Sequence, residues 1–182
     1  MKQRLLYIHG LNSDATSRKY LNLKEYFKDE FEFDCLEWKN EDTISELLDG
    51  AESELDNDSS PILFGDSTGA NFAWQLRQRR MIKVQKSILI LSSPLLDLSK
   101  RIADFEFPKK LIPYMNVIHN PKDTLVIASE TDEIIDMSDL LNPAIEKDFE
   151  LIKANDTHRL VNFKSYLPEI RNYIDNQNLL QF

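Results

Sequence analysis

The sequence predicts an α/β protein with a mostly parallel sheet that is covered by helices on both faces. Short apolar runs alternate with segments of helical periodicity through most of the 182 residues. The runs are apolar throughout rather than alternately polar, which is typical of parallel strands buried on both faces. Their alternation with helices favours βαβ units, in which each helix crosses back over the sheet.

Six short apolar runs are predicted to be the strands. They are residues 5–8, 31–38, 61–64, 87–91, 124–128 and 149–152. The sixth run is weaker than the others. Pro61 stands at the first position of the third strand, where no ladder hydrogen bond needs the N–H that proline lacks.

Four segments are predicted to be helices, and in all but the third of them apolar residues recur at helical spacing. They are residues 20–27, 43–55, 70–81 and 163–174. Thr43 and Glu46 have the spacing of a capping box at the start of the second helix. The last helix has the clearest apolar stripe in the chain.

Residues 92–120 do not follow this alternation. Their periodicity is weak, and the segment contains Pro94, Pro108 and Pro113. We expect it to be either a short cap over the edge of the sheet or a long excursion with a broken helix. Because no repeat, low-complexity tract or linker interrupts the chain, residues 1–182 are expected to form a single domain.

Composition and charge exclude several classes of protein. Hydrophobic residues make up 42% and charged residues 29%, which is ordinary for a soluble globular chain. The net charge of -9 repels phosphate backbones and anionic lipids, so neither nucleic acid nor a membrane is an expected partner. No apolar run is long enough for a signal peptide or a spanning helix, so a cytoplasmic location is expected. The single cysteine, Cys35, cannot form an internal disulfide.

The one basic cluster lies at the predicted end of the third helix and comprises Arg77, Arg79, Arg80 and Lys83. Cations are favoured at the negative end of a helix dipole. We therefore interpret this cluster as a solvated helix terminus and not as a binding site.

The strongest local signal is the G-x-S-x-G pattern Gly-Asp-Ser-Thr-Gly at residues 65–69. It follows a predicted strand and precedes a predicted helix, as the nucleophile elbow of an α/β-hydrolase must. Side chains two residues on either side of Ser67 would collide with neighbouring backbone in so tight a turn, so Gly65 and Gly69 are needed there. The chain has only four glycines, and two of them flank this serine. The sequence therefore predicts the α/β-hydrolase fold with Ser67 as the nucleophile.

A serine nucleophile needs a base, and the chain has three histidines. His9 directly follows the first predicted strand and is expected to shape the loop there. His119 lies in a turn before a strand and is interpreted as a surface residue. His158 lies between the last predicted strand and the last helix, where an α/β-hydrolase has its base. Order along the chain therefore selects His158.

The acid of the triad is expected on the loop after the strand at 124–128, between Ser67 and His158 in the chain. Asp132 is the best-placed carboxylate there, and Asp136 is the second. Weaker candidates are Glu130, Glu133 and Asp97. The acid would fix the histidine tautomer and stabilise the imidazolium.

Two backbone N–H groups are expected to form the oxyanion hole. Thr68 supplies one because it directly follows the nucleophile. The loop after the first strand, residues 9–13, supplies the other, and Leu11 is its natural donor. This chemistry requires no metal ion and no cofactor.

With these residues identified, the chain resembles the YqiA-like family of small bacterial esterases, a compact branch of the α/β-hydrolases. The resemblance spans nearly the whole chain and rests on residues 6–13, 65–69, 131–136 and 155–158. It implies a triad of Ser67, Asp132 and His158, and esterase activity on short acyl esters.

The chain departs from the family pattern at three places. Ala70 replaces a second glycine after the pentad, and its side chain is small. Asp156-Thr157 replaces the Gly-Asn that usually precedes the histidine. Asp66 replaces a small residue before the nucleophile. Its carboxylate is expected to line the mouth of the site and to disfavour anionic substrates.

The leading hypothesis is a serine hydrolase that cleaves small carboxylic esters or thioesters through an acyl-serine intermediate. The second hypothesis is a catalytically inactive α/β-hydrolase fold that serves as a binding or interaction protein. A third hypothesis is a flavodoxin-like or Rossmann-type binding protein in which residues 65–69 bind phosphate. The chain lacks the G-x-G-x-x-G and G-K-[ST] patterns of such loops, so this hypothesis is discounted.

Overall fold

A computed structural model describes residues 2–180, and within them all six strands join one parallel sheet in the order β2-β1-β3-β4-β5-β6. The strands are β1 (Gln3–Ile8), β2 (Phe31–Leu36), β3 (Ile62–Asp66), β4 (Ile88–Ser92), β5 (Thr124–Ser129) and β6 (Glu150–Ala154). Each predicted strand is therefore present. The predicted end of the second lies two residues too far, since Trp38 stands beyond β2 and is buried.

In the described part of the chain, five α-helices connect or follow the strands: α1 (Arg18–Phe27), α2 (Ile44–Glu54), α3 (Thr68–Ile82), α4 (Ser138–Leu141) and α5 (Leu167–Leu179). Short 3-10 turns occur at Leu98–Lys100, Ile112–Tyr114 and Phe163–Tyr166. The sequence did not predict α4, which spans a single turn. Among residues 2–180, no helix is long and apolar enough to cross a bilayer.

The sheet separates two apolar cores because successive residues of a strand point to opposite faces. Leu6 and Ile8 pack with α2 and α3 on one face. Leu5 and Tyr7 pack with α1 and α5 on the other. The sheet is thus covered on both faces, which explains why its central strands are apolar throughout.

The starts of the first two helices are built differently. Ser17 caps α1, and its hydroxyl accepts a hydrogen bond from the Tyr20 N–H. Thr43 stands at the N-cap of α2, but its side chain accepts no hydrogen bond from the helix, so the predicted capping box is wrong. Thr43 is exposed, and solvent therefore reaches the free N–H groups of the first turn.

The basic cluster at the end of α3 is only partly solvated, which corrects the prediction. Arg80 is fully buried and donates to the carbonyl oxygens of Leu55, Asp58 and Lys86 and to the Ser87 hydroxyl. Arg77 is also buried, and its partners are the Asp123 carbonyl oxygen and the Thr124 hydroxyl. Loops that pack over the helix end leave buried carbonyl groups, and these two guanidinium groups satisfy them. Arg79 and Lys83 instead form ion pairs with Asp49 and Glu52 of α2.

The segment 92–120 contains only two short 3-10 turns, but it is well packed. Its apolar residues that join the α2–α3 core are Leu95, Leu96, Phe107, Leu111 and Ile118. Arg101 pairs with Ile135 in an isolated antiparallel bridge. The bridge is flanked by hydrogen bonds from the Ile102 N–H to the Ile134 carbonyl at 2.9 Å and from the Asp136 N–H to the Lys100 carbonyl at 2.8 Å. The segment is thereby attached to the loop that follows β5.

Candidate active site

Ser67 occupies a sharp turn between β3 and α3. Its backbone has φ 53° and ψ -115°, a region that residues other than glycine rarely adopt. Helix α3 begins at the next residue, Thr68. The strained turn thus presents the serine at the carboxyl edge of the sheet, at the start of a long helix.

Glycines allow this turn to pack closely against its neighbours. A Cβ at Gly65 would come 2.5 Å from Ala70 Cα, and one at Gly69 would overlap the carbonyl oxygens of Ile8 and His9. A Cβ at Gly10 would lie 3.1 Å from Ser67 Cβ. Side chains at positions 65 and 69 would therefore collide with neighbouring atoms, as predicted. The loop after β1 also approaches Ser67 closely at Gly10.

Ser67, His158 and Asp132 come together from three loops after β3, β6 and β5. The Ser67 Oγ lies 2.9 Å from His158 Nε2, and His158 Nδ1 lies 2.8 Å from Asp132 Oδ2. The Asp132 carboxylate accepts a hydrogen bond from the Nδ1–H of His158. In this tautomer Nε2 carries no hydrogen and can accept the serine proton. Residues separated by 91 and 26 positions in the chain thus form one continuous hydrogen-bonded chain.

The Asp132 side chain is 1% exposed and held rigidly. Its Oδ1 accepts hydrogen bonds from the N–H groups of Ile134 at 2.9 Å and Ile135 at 2.8 Å. The structure places Asp136 elsewhere, since its carboxylate accepts from the Ser138 N–H. Among the weaker candidates, Asp97 accepts from the Ser99 N–H, and Glu133 accepts from the backbone N–H of His158.

The loop that carries His158 is organised by Asp156, which is 7% exposed. Its carboxylate accepts backbone hydrogen bonds from Thr157, Val161 and Asn162, each 2.8 Å long. Burial opposes ionisation, but these N–H groups outweigh it and lower the pKa of Asp156. The Ser93 hydroxyl fixes the loop further by donating to the His158 carbonyl at 2.8 Å. The residue that replaces the family's glycine is thus the anchor of the loop.

The two residues predicted to supply the oxyanion hole, Leu11 and Thr68, line one cavity together with Ser67. Thr68 is the first residue of α3, so its N–H has no acceptor inside the helix. The Leu11 N–H donates to none of residues 2–180. The preceding His9 is buried, and its Nδ1 lies 2.8 Å from the Gly10 carbonyl oxygen. His9 therefore shapes the loop, as predicted from its position.

Asp66 does not leave an unbalanced charge at the mouth of the site. Its carboxylate accepts from the Lys19 ammonium at 2.5 Å, the Ser92 hydroxyl at 2.7 Å and the Tyr7 hydroxyl at 3.2 Å. Burial raises the pKa of Asp66, but the Lys19 charge and the hydrogen bonds from Lys19 and Ser92 lower it to below its ordinary value. Because Lys19 neutralises this carboxylate, the expectation that Asp66 repels anionic substrates loses its basis.

Two cavities open on either side of Ser67 and His158. One has a volume of about 330 Å³ and includes the apolar side chains Leu95, Phe107 and Ile135 in its wall. The other measures about 560 Å³ and includes Ser17, Arg18, Lys19 and Asp66. Ser67 and His158 line both cavities.

A family model covers residues 4–175, and its family is described as the uncharacterised protein family UPF0227. The chain belongs to this family. UPF0227 is the family of YqiA-like proteins that the sequence motifs indicated, so that prediction is confirmed. Among curated proteins, none matches the UPF0227 chain.

Solved structures share the fold of this UPF0227 protein at low sequence identity. A candidate hydrolase of Agrobacterium vitis S4 is 16% identical, with a TM-score of 0.70 and coverage of 95% of this chain and 88% of its own. Est1E of Butyrivibrio proteoclasticus is 14% identical, with a TM-score of 0.67 and coverage of 98% and 89%. Human thioesterase 2 is 14% identical, with a TM-score of 0.62 and coverage of 96% and 94%. Together with the parallel sheet, these likenesses confirm the predicted α/β-hydrolase fold.

Sequence reasoning missed three residues that shape the site. Asp156 was noted only as a departure from the family pattern. Trp38 was assigned to a strand, although its indole donates to the His9 carbonyl. Arg101 lies in the wall of the 330 Å³ cavity but comes from the irregular segment 92–120. No periodic signal marks Arg101, because its position depends on backbone pairing with Ile135.

Proposed function

We propose that this protein is a serine hydrolase that cleaves small carboxylic esters or thioesters through an acyl-serine intermediate. The observation that carries the proposal is the hydrogen-bonded chain from Ser67 through His158 to Asp132, at 2.9 and 2.8 Å. Such an array turns a weakly nucleophilic hydroxyl into one that attacks carbonyl carbon at neutral pH.

In the first half of the reaction, Ser67 Oγ attacks the carbonyl carbon while His158 Nε2 takes the serine proton. The carbonyl oxygen becomes an oxyanion, which the Leu11 and Thr68 N–H groups stabilise. Each such donor contributes about 3 kcal/mol in comparable sites. The tetrahedral intermediate then breaks its bond to the alcohol or thiol, and His158 returns the proton to this leaving group.

In the second half, water replaces the leaving group. His158 Nε2 takes a proton from water, and the hydroxide oxygen attacks the acyl-serine carbonyl. Collapse of the second intermediate breaks the bond to Ser67 Oγ, which regains its proton from His158. The products are a carboxylic acid and the alcohol or thiol, and the enzyme is regenerated. Asp132 stays ionised throughout and stabilises the imidazolium.

The alternative is an inactive fold that serves as a binding protein. The preserved hydrogen-bonding geometry argues against it, because the buried Asp132 and the strained Ser67 are costly to retain without a reaction. Two proteins that share the fold are an arylesterase and human thioesterase 2, which supports ester and thioester substrates for this protein.

Labelling by a fluorophosphonate probe tests the proposal. Wild type is expected to label, Ser67→Ala to lose labelling entirely, and His158→Ala to label far more slowly. His119→Ala is the matched control, since His119 is exposed and contributes nothing to the triad. If folded wild type does not react, or if Ser67→Ala still reacts at the wild-type rate, the hydrolase proposal is wrong.

A further inference from the structure

The 330 Å³ cavity beside Ser67 contains a cation, Arg101, next to a group of apolar side chains. The apolar side chains around it include Leu95, Phe107, Ile134 and Ile135. Placing a guanidinium among such residues costs free energy unless a partner compensates it. The question is therefore which group this arginine binds.

Arg101 is held in position before any ligand arrives. Its backbone forms the antiparallel bridge to Ile135, three residues beyond Asp132. Its guanidinium lies over two aromatic rings, 4.8 Å from the centroid of Phe105 and 5.4 Å from that of Phe107. These contacts favour a planar cation and fix its plane. The side chain is thus attached to the same loop that carries the proposed catalytic acid.

The guanidinium of Arg101 keeps most of its hydrogen-bonding capacity free. One Nη donates to the Phe105 carbonyl oxygen at 3.0 Å, and no carboxylate among residues 2–180 forms an ion pair with it. An arginine has five N–H donors. Burial lowers the pKa of Arg101, and no acidic neighbour opposes this effect. By contrast, Arg171 uses two nitrogens on the Glu30 carboxylate.

The other charges around the cavity do not neutralise Arg101. Arg159 is a second cation at its rim and is exposed. Glu133 is the acidic residue among those that line the cavity, and its carboxylate accepts the His158 N–H at 3.0 Å. Asp66 faces the other cavity and is paired with Lys19. The residues that line this cavity thus include two cations, Arg101 and Arg159, and one carboxylate, Glu133, in a protein of net charge -9.

We propose that Arg101 binds a carboxylate at the far end of the substrate's acyl chain, so that the preferred substrates are monoesters of short dicarboxylic acids. The proposal rests on the proposed function of Ser67. The apolar side chains of the cavity suit the methylene chain, and the planar guanidinium suits a carboxylate through paired N–H···O bonds. The 560 Å³ cavity, which Ser67 and His158 also line, then receives the leaving alcohol.

The test compares two esters that differ only at the end of the chain, monomethyl adipate and methyl hexanoate. We expect wild type to favour monomethyl adipate in kcat/KM by about 10- to 100-fold, the range that a charge-assisted hydrogen-bonded pair supplies. Arg101→Met should abolish this preference, whereas Arg101→Lys should keep part of it. Arg79→Met is the control, since it removes one positive charge from the α2–α3 surface ion pair.

Three outcomes would overturn the proposal. One is an equal ratio of the two rates in wild type and Arg101→Met. Another is a wild-type preference for methyl hexanoate. The third is an anion preference that appears only when the carboxylate is on the alcohol, as in the hexanoyl ester of glycolate compared with ethyl hexanoate.

A second measurement needs no variant. Adipate is expected to slow fluorophosphonate labelling of wild type at concentrations at which hexanoate does not, and equal protection by both would contradict the proposal. Labelling also separates the two proposals in this protein. If Ser67 labels but the adipate preference is absent, only the assignment of Arg101 fails, whereas absence of labelling means that the hydrolase proposal itself fails.

Discussion

Trp38 and His9 form a reciprocal hydrogen-bonded pair beneath the loop that approaches Ser67. The Trp38 indole donates to the His9 carbonyl oxygen at 2.9 Å, and His9 Nε2 accepts the Trp38 backbone N–H at 3.1 Å. The two rings stack at 5.1 Å with an interplanar angle of 4°. This pair fixes the backbone just before the Leu11 N–H, so the geometry of the proposed oxyanion hole depends on a residue outside it.

Replacing Trp38 by phenylalanine should loosen this loop while keeping an aromatic ring in the core. We expect kcat/KM for a small ester to fall about 10-fold, through kcat, because misplacing a donor weakens binding of the transition state. Steady-state kinetics measure the effect. Trp74→Phe on α3 is the matched control and should retain wild-type kinetics. Equal effects of the two variants would contradict this role of Trp38.

Asp132→Asn tests Asp132 as the proposed acid of the triad. The asparagine keeps the shape of the side chain but can no longer select the Nδ1–H tautomer of His158, so we expect kcat to drop by about 10⁴-fold. Asp136→Asn should leave kcat within about 2-fold of wild type, because its carboxylate only accepts the Ser138 N–H. A large loss in Asp136→Asn with little change in Asp132→Asn would reverse the assignment.

Gly69→Ala and Gly50→Ala should change stability in opposite directions. A Cβ at Gly69 overlaps backbone carbonyl oxygens of β1, so we expect a loss of more than about 4 kcal/mol in the free energy of unfolding. A Cβ at Gly50 meets nothing within 4 Å in the middle of α2, and alanine there should add about 0.5–1 kcal/mol. Urea denaturation of the two variants measures both values. A stable Gly69→Ala protein would show that the turn can move away from β1.

The ion pair between Lys19 and Asp66 predicts a specific pH dependence of stability. The pKa of Asp66 is lowered in the folded protein, so its carboxylate adds stability above its ordinary value of 3.8. This contribution is lost as the pH falls through 3.8 towards the lower folded pKa. Asp66→Asn leaves Lys19 without its partner and should cost about 3–5 kcal/mol at pH 7. The difference from wild type should shrink at pH 3.

Chemical denaturation at pH 7 and pH 3 measures that difference. Asp175→Asn serves as the control, since Asp175 is exposed on α5 and should not change the unfolding free energy at either pH. A difference between wild type and Asp66→Asn that is the same at both pH values would show that Asp66 stabilises the fold by packing and not by charge.

Most of the sheet was predictable from the sequence because its central strands are buried on both faces and therefore consist of continuous apolar residues. The turn at Ser67 was predictable because two glycines with a specific steric role frame it. Helix α3 was recognised from that turn and not from a strong apolar stripe, because much of its circumference is buried, including Asn71, Arg77 and Arg80.

Long-range contacts were the part that the sequence could not supply. Burial of Arg80 depends on carbonyl groups of Leu55 and Asp58, which are 25 and 22 residues away in the chain. The position of Arg101 depends on its bridge to Ile135. Neither relationship leaves a local pattern in the sequence. Charge alone therefore predicted a solvated cluster for Arg80, and no role was predicted for Arg101.

The last strand, β6, lies at the edge of the sheet and leads into the loop that carries His158. During synthesis, the ribosome therefore adds His158, the proposed base, 91 residues after Ser67. A nascent chain that has folded only its first four strands has the turn at Ser67 but lacks the contact between Ser67 Oγ and His158 Nε2. Under the proposed mechanism, activity is therefore acquired only when β6 docks, and its appearance would report completion of the sheet.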